Sequence, residues 1–505
     1  MRKVLGSVAV VLALMVACSS AAPDPASKTT VVEAPKKPAW ARSYRFTDTT
    51  SGAVASSTRT WGSTWADFDS DGDPDPLVNR HWGTPQFLVN RNDEFHHYAG
   101  RIDWHPGPKK TDRHACAWGE ANRDGRPDLY CTQGADMGTG SGPNRLYVQA
   151  RDGFDERARQ YDVTNPKGRG RTVNWLDYDS DGDLDLFVGN AERSITTNLM
   201  FRHTRTKYVR ARVGLDQDLS TAGSSWADWD RDGDPDLTIQ QHDPYPTLAY
   251  ENVKKRFKPV RLAGITGKTW LAATWGDFNG DGWPDVAMVG NNSAAIFRNN
   301  RGRFRRVRRV KVAEGRMGVW LDVENDGDLD LFVVQGAIGQ RPQPDSKNYG
   351  DLLFVRRKGK FVKIVANGAS SEGSGDAVSA SDYDRDGRVD VLVTNGYFYY
   401  EGPNELLRNT SSARNWAGLQ LRGPRANPLG FGATVRVETN GRTYHRQITD
   451  NFSFRAQSEV GYVHLGLGRA RTARVRVDWP GRDTDCLSVT EGSVTQVRHG
   501  TNRCR

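Results

Sequence analysis

Cysteine is scarce in this chain, with five in 505 residues. No CxxC or CxxCH spacing occurs, which leaves no thioredoxin-type dithiol and no covalent haem attachment. Histidine is also thin, at ten. His96 and His97 near His114 form the one local group, and it reads as a surface cluster rather than a metal site. HExxH, GxSxG and P-loop patterns are absent, so no linear motif for zinc proteolysis, a nucleophile elbow or phosphate cradling is present. No apolar run after residue 17 is long enough to cross a bilayer as a helix. Helix-period stretches are few, whereas Gly (52) and Trp (15) are plentiful. A turn-rich, aromatic-rich chain without helical periodicity points to an all-β fold. Its length allows roughly two to four units.

The chain starts with a short basic segment, Met1-Arg2-Lys3, followed by an apolar run from Val4 to Ala17. That run suits a signal peptide and is short for a membrane span. It ends in "LMVAC", which resembles the lipobox of bacterial lipoproteins, with Met15 where Leu is usual. The resemblance implies lipidation at Cys18, with residues 1–18 as the signal segment. The protein would be exported and lipid-anchored at the bacterial cell surface or outer membrane. An ordinary cleaved signal peptide is the alternative. Residues 19–43, rich in Pro, Ala and Ser, read as a flexible tether. Export permits disulfides. The four remaining cysteines allow three pairings, of which the local one, Cys116–Cys131 with Cys486–Cys504, is expected.

What the chain does have is a repeat. "DFDSDGDPD" (67–75), "EANRDGRPD" (120–128), "DYDSDGDLD" (177–185), "DWDRDGDPD" (228–236), "DFNGDGWPD" (277–285), "DVENDGDLD" (322–330) and "DYDRDGRVD" (382–390) recur at intervals of 45 to 60 residues. A steady period near 50 marks a repeat architecture. Trp stands two residues before the loop in six of the seven copies. An apolar run such as "LFVGN" or "VLVTNG" follows each loop and fits a strand buried on both faces. A hairpin such as "AIFRNNRGRF" comes next. Each unit is therefore about four short strands and one acidic loop, the composition of a propeller blade. The expected fold is a seven-bladed β-propeller over residues 44–410. The last unit lacks its own outer strand, so the N-terminal "YRFTDTTSG" (44–52) is expected to complete it and leave no open sheet edge.

Oxygen-bearing side chains occupy positions 1, 3, 5 and 9 of each loop. Position 1 is Asp67, Glu120, Asp177, Asp228, Asp277, Asp322 and Asp382. Position 3 is Asp69, Asn122, Asp179, Asp230, Asn279, Glu324 and Asp384. Position 5 is Asp71, Asp124, Asp181, Asp232, Asp281, Asp326 and Asp386. Position 9 is Asp75, Asp128, Asp185, Asp236, Asp285, Asp330 and Asp390. Position 6 is Gly in every copy, which permits the tight turn. Alternating acids around a Gly turn make an oxygen cage suited to Ca²⁺, with up to seven ions in all. Zinc would want His or Cys. The loop is no EF-hand, because position 12 falls in a strand, at Val78 or Val188 for example. The spacing D-x-D-x-D-G-x-x-D between strands resembles the calcium loops of the FG-GAP (VCBS) repeats of integrin-α type. That resemblance implies Ca²⁺ held by positions 1, 3, 5 and 9, with help from the carbonyl at position 7. The second loop, with Glu120 and Asn122, ranks weakest. The competing reading is seven solvated acidic turns, which would suffer strong self-repulsion.

After Asn409 the acidic loops stop. Residues 411–505 read as short alternating strands, a small β-sandwich-like domain. "NW" at 415, "NPLGFGATVRV" (427–437), "HLGLG" (464–468) and "VRVDWPGR" (475–482) are similar to the ASPIC/UnbV domain, which follows FG-GAP repeats in the cartilage acidic protein family. "TDN" (449–451) departs from that family's Gly pair. Gly430, Gly432, Gly466 and Gly468 are expected to allow close backbone approach or turns and Trp479-Pro480 to end a strand, with core packing rather than ligand contact as their role.

The net charge is +9, yet the seven loops hold about half of the 61 acids. With calcium bound, the remaining surface is strongly cationic, most densely at "RGRFRRVRRVK" (301–311). Anionic partners would be attracted. The expected function is a calcium-binding surface lipoprotein acting in adhesion or envelope scaffolding. Its partner would be a polysaccharide, an envelope component or another surface protein. It would bind no nucleic acid, touch the membrane only through the lipid and be a monomer. No catalytic residue is assigned. The alternative is an extracellular carbohydrate-active lyase or hydrolase whose site is assembled from the long loops 133–144, 335–350 and 395–404. In the last of these, Tyr397, Phe398, Tyr399 and Tyr400 would plug the propeller mouth or stack on sugars.

Overall fold

In the computed structural model, the residues described are 43–504 apart from 56–57, 82, 105–111, 135–141, 192–196, 218, 337–349, 366–374, 397–401, 451 and 482. The expected signal segment, the tether and Tyr397–Tyr400 lie outside them. Every regular element among the described residues is a β-strand.

Seven antiparallel sheets follow one another. Their first strands are Thr60–Ala66, Arg113–Gly119, Gly170–Leu176, Thr221–Ala227, Ala272–Gly276, Gly315–Leu321 and Gly375–Ser381. Each of these packs against the first strand of the next sheet, and Gly375–Ser381 returns to Thr60–Ala66. The result is a closed ring, a β-propeller. In each blade the acidic loop joins the first strand to the second. Second strands such as Asp185–Asn190 (DLFVGN) and Asp390–Asn395 (DVLVTN) are buried throughout, because neighbouring blades cover both faces. The Trp before the loop links blades. Trp175 Nε1 donates to the Ala117 carbonyl (3.1 Å), and Trp320 Nε1 donates to that of Thr274 (3.0 Å), each in the preceding blade.

The ring closes through the chain's start. Phe46–Asp48 pairs antiparallel with Glu405–Asn409 and forms the outer strand of the last blade. Cys116 and Cys131 face each other across the first two strands of the second blade, 4.1 Å apart at Cα, and are disulfide-bonded.

The C-terminal region is a two-sheet sandwich. One sheet orders Tyr462–Gly468, Asn415–Arg422 and Val494–Arg498. The other orders Arg442–Gln447, Thr434–Thr439, Thr472–Asp478 and Thr484–Thr490. Strict alternation of buried and exposed residues along Thr472–Asp478 shows one face in the core and one in water. A second disulfide joins Cys486 to Cys504.

One feature departs from a self-contained sandwich. The hairpin Phe452–Ser453/Ala456–Val460 leaves the domain and enters the propeller ring. Ala456–Val460 pairs parallel with Thr60–Ala66, so the first blade's sheet extends inward to six strands. The first strands carry small polar residues where they face this finger, including Thr64, Asn174 and Ser381, all buried. A Cβ on Gly62 would lie 2.2 Å from the Arg455 carbonyl oxygen, so only Gly lets the two backbones approach there.

Candidate metal loops and the domain docked on them

The seven loops share one backbone design. Position 4 is left-handed throughout the set: Ser70, Arg123, Ser180, Arg231, Gly280, Asn325 and Arg385 all have positive φ. The Gly at position 6 is left-handed too, with φ between 83° and 104°. Only one of the seven position-4 residues is Gly, so that second turn left no mark in the sequence. The double turn aims amides at the acids. The position-6 N–H donates to the position-1 carboxylate, for example Gly182 to Asp177 at 2.9 Å. The position-7 N–H donates to the position-5 carboxylate, as in Asp183 to Asp181 at 3.0 Å.

Position 9 has a further task. In every blade its Oδ1 accepts a backbone N–H from the third strand. The partners are Asn90, Gln149, His203, Asn252, Asn299, Arg356 and Asn409, at 2.6–2.9 Å. Where the third-strand residue is Asn, its side chain reaches the position-2 carbonyl of the preceding loop, as Asn252 does to Tyr178 (2.8 Å). The position-9 aspartates therefore brace the blade whether or not they hold a cation.

Four loops gather three carboxylates with oxygens within 4.8 Å of one another. These are Asp67, Asp69 and Asp71; Asp177, Asp179 and Asp185; Asp228, Asp230 and Asp236; and Asp382, Asp384 and Asp390. In the other three, a non-Asp side chain is diverted. Asn122 Nδ2 donates to Asp124 (3.0 Å) and Asn279 Nδ2 to Asp285 (2.7 Å), while Glu324 accepts from the Tyr44 hydroxyl (2.5 Å).

The donor set fits a hard cation. Asp67 Oδ1, Asp75 Oδ2, Asp179 Oδ1 and Asp228 Oδ1 are buried and have no hydrogen-bond partner. Burial, reinforced by neighbouring carboxylates, pushes Asp75 and Asp236 up to about 9 and Asp285, Asp322 and Asp382 up to about 8. A divalent ion among these oxygens would reverse that cost by supplying the missing positive charge.

The C-terminal sandwich sits on this loop face. Arg414 pairs with Asp326 (2.9 Å), Arg422 with Asp67 (3.5 Å) and Arg442 with Asp328. The Tyr462 hydroxyl reaches Asp382 (3.3 Å), and His464 Nε2 meets Asn325 Oδ1 (2.9 Å). A Cβ on Gly466 would fall 1.9 Å from Asp322 Oδ2. This Gly of "HLGLG" thus serves a close approach, as the sequence allowed, and the surface it approaches is an acidic loop of the propeller. The sixth and seventh loops are covered, while positions 4–6 of the first, third and fourth stay exposed.

The finger is held by polar contacts to several blade walls. Asp450 accepts from Asn174 Nδ2 (2.9 Å) and the Trp175 N–H (3.1 Å). Ser453 donates to the Ala273 carbonyl (2.7 Å). Arg455 pairs with Asp376 (2.8 Å) and lies 3.7 Å over the Trp61 ring. Gln457 Oε1 accepts the Trp118 N–H (2.8 Å). Glu459 accepts from Ser381 (2.8 Å) and Arg385 (2.7 Å). Sequence reading missed these residues. The departure of "TDN" from the family's Gly pair was their one trace, since its Asp450 is an anchor.

The histidines regroup as well. His96 and His97 lie on an exposed outer strand. His114 is buried and shares the Asp112 carboxylate with His81, at 2.9 and 2.6 Å. Burial alone would raise Asp112, but the two imidazoles outweigh it and hold the carboxyl well below its usual range. His81 lies 31 residues upstream of Asp112, so no local spacing announced the group.

Comparison with known proteins agrees with this architecture. The FG-GAP-like repeat model matches residues 121–188, 228–288, 277–333 and 322–393. The ASPIC and UnbV model matches 423–501. The chain is an FG-GAP repeat protein with a C-terminal ASPIC/UnbV domain. Cartilage acidic protein 1 of Xenopus tropicalis is 23% identical over 477 residues, covering 86% of this chain and 73% of the frog protein. The Homo sapiens protein of that name is 31% identical over 232 residues, 44% of this chain and 34% of its own length. A chain of the solved BBS1N–ARL6DN complex aligns at 12% identity with a TM-score of 0.46, covering 73% of this chain and 98% of that one. FG-GAP repeats joined to an ASPIC/UnbV domain mark a surface or adhesion-type protein.

Proposed function

We propose that this FG-GAP protein is a non-catalytic binding module, displayed outside the cytoplasm on a lipid at Cys18 and stabilised by calcium. The observation that carries the calcium reading is the convergence of buried, unpartnered carboxylate oxygens in loops of one repeated geometry. Asp67, Asp177, Asp228 and Asp382, with the position-3, -5 and -9 acids of their loops, would hold the ions. Bound calcium would supply positive charge that fixes each loop and, through position 9, the strands beside it. A binding role also agrees with the ring's interior. The finger occupies part of it, leaving a cavity of about 200 Å³ beside Trp275, Trp320 and Tyr462, and Asp376, Asp450 and Glu459 are each tied to partners.

Calorimetric titration of chelator-treated, desalted protein with CaCl₂ tests this reading. Uptake of several equivalents is expected, with Asp179→Ala and Asp230→Ala each removing about one. Absence of uptake, by calorimetry and by equilibrium dialysis, would leave the loops as solvated acidic turns. For the anchor, Cys18→Ser should abolish labelling by a radioactive fatty acid and release the protein to the soluble fraction. Labelling that persists in the variant would refute the lipid assignment.

A further inference from the structure

Blade five differs from the others at its outer edge. Its fourth strand, Arg303–Lys311, runs for nine residues and is exposed except at Phe304 and, in part, Val310. The outer strands of the other blades have two to six residues and at most two cations each, as in Lys207–Ala211 and Lys360–Val365. Here six cations stand on one strand: Arg303, Arg305, Arg306, Arg308, Arg309 and Lys311. Among the described residues, none of the six has an acidic side chain within ion-pair distance. This sets them apart from Arg298 on the adjoining strand, which pairs with Asp281 at 2.9 Å.

The register shows how the charges are laid out. A bulge lies at Val307, between the pairs Ile296–Arg308 and Phe297–Arg306. Arg306, Arg309 and Lys311 therefore share one face of the strand, and Arg303, Arg305 and Arg308 share the other. Both faces and the free edge meet solvent, because this strand ends its sheet. The charge forms a ridge about 26 Å long at about 3.3 Å per residue. A few charges on an edge strand deter strand addition. The other blades achieve that with two cations or fewer, so six of one sign exceed the need.

We propose that this ridge is the binding site for a linear acidic polysaccharide, one bearing carboxylate or sulfate groups along its length. The inference rests on the reading of the protein as a displayed binding module and names what it holds. A long narrow track with cations on both sides suits an extended polyanion that is straddled along its length. A flat membrane would engage one face only. Single-stranded nucleic acid would want aromatic platforms, and the strand's one aromatic, Phe304, is buried.

Binding of full mature protein to immobilised heparin and polygalacturonate, with neutral dextran as control, tests the proposal at 0.15 M NaCl with calcium present. The quadruple variant R305A/R306A/R308A/R309A should bind both polyanions about tenfold more weakly or worse, with a shallower salt dependence. K207A/R210A, on the outer strand of the third blade, should stay within about twofold. Calcium uptake by the quadruple variant is measured in parallel, so a failed fold or a failed calcium reading is seen separately from a lost polysaccharide site. Unchanged polyanion binding by a folded quadruple variant overturns the proposal. So does wild-type protein that binds anionic lipid vesicles or duplex DNA more tightly than either polysaccharide.

Discussion

Excess EDTA at pH 8.5 is expected to lower the melting temperature by about 10 °C, and by much less at pH 5, on the proposed binding of calcium by the loops. Four loops gather three candidate ligands each. Calcium held about a hundredfold above its dissociation constant adds about 2.7 kcal/mol per site, about 11 kcal/mol in all. Unfolding entropy near 2.1 cal/mol/K per residue gives about 1 kcal/mol per degree for a body of this size. The pH dependence follows from the buried aspartates. Asp75 and Asp236 at about 9, and Asp285, Asp322 and Asp382 at about 8, all lie above the ordinary value of 3.8. The metal-free folded state thus holds protons that the unfolded chain has already released. Its stability is full below about pH 4 and is lost as pH rises toward 8–9. Calcium acts in the opposite sense, because it binds ionised carboxylates and its affinity grows with pH. The gap between the calcium and EDTA melting curves should therefore widen from pH 5 to pH 8.5. A gap that is absent at both pH values would remove calcium from the account of stability.

The second large effect lies inside the ring. Arg455→Ala is expected to cost about 3–5 kcal/mol, because it leaves the Asp376 carboxyl buried and without its partner. Both side chains are almost fully buried, at 3% and 0% exposure, so water cannot substitute for the guanidinium. The same change removes the cation resting on Trp61. Chemical denaturation measures the loss, and limited proteolysis shows where it falls. If the finger is a structural part of the propeller, the variant should be cut in the segment 449–462 under conditions that spare the wild type. The variant Arg455→Ala/Asp376→Asn should recover part of the loss, since no uncompensated charge remains. Equal stability of Arg455→Ala and wild type, with the finger still protected, would show that the propeller stands without it.

Much of this is legible in the sequence. The 45-to-60-residue period, the Trp before each loop and the doubly buried second strands identified the blades, because every blade solves the same local problem. The missing strand at the end of the repeat pointed to residues 44–52 as its replacement, and Phe46–Asp48 within them is paired in that way. The acidic loops could be read because their candidate ligands lie within nine residues, close enough for spacing to encode geometry. The left-handed position 4 could not, since Ser, Arg and Asn adopt that turn there without the Gly that would have marked it.

The sequence by itself determined the repeat, the all-β class and the identity of the oxygen donors, all of which follow from patterns within a few tens of residues. Tertiary structure alone decided which loops lie open and which are covered, where the fingertip goes, and which cations are left without partners. Gln457 meets Trp118 across 339 residues, and Arg455 meets Asp376 across 79. Such contacts arise when two separately folded surfaces become complementary, and complementarity between distant segments leaves no spacing in a single chain. The basic run at 301–311 shows the same divide: its charge is plain in the sequence, but only the sheet order places it on a free edge, unpaired and open to solvent.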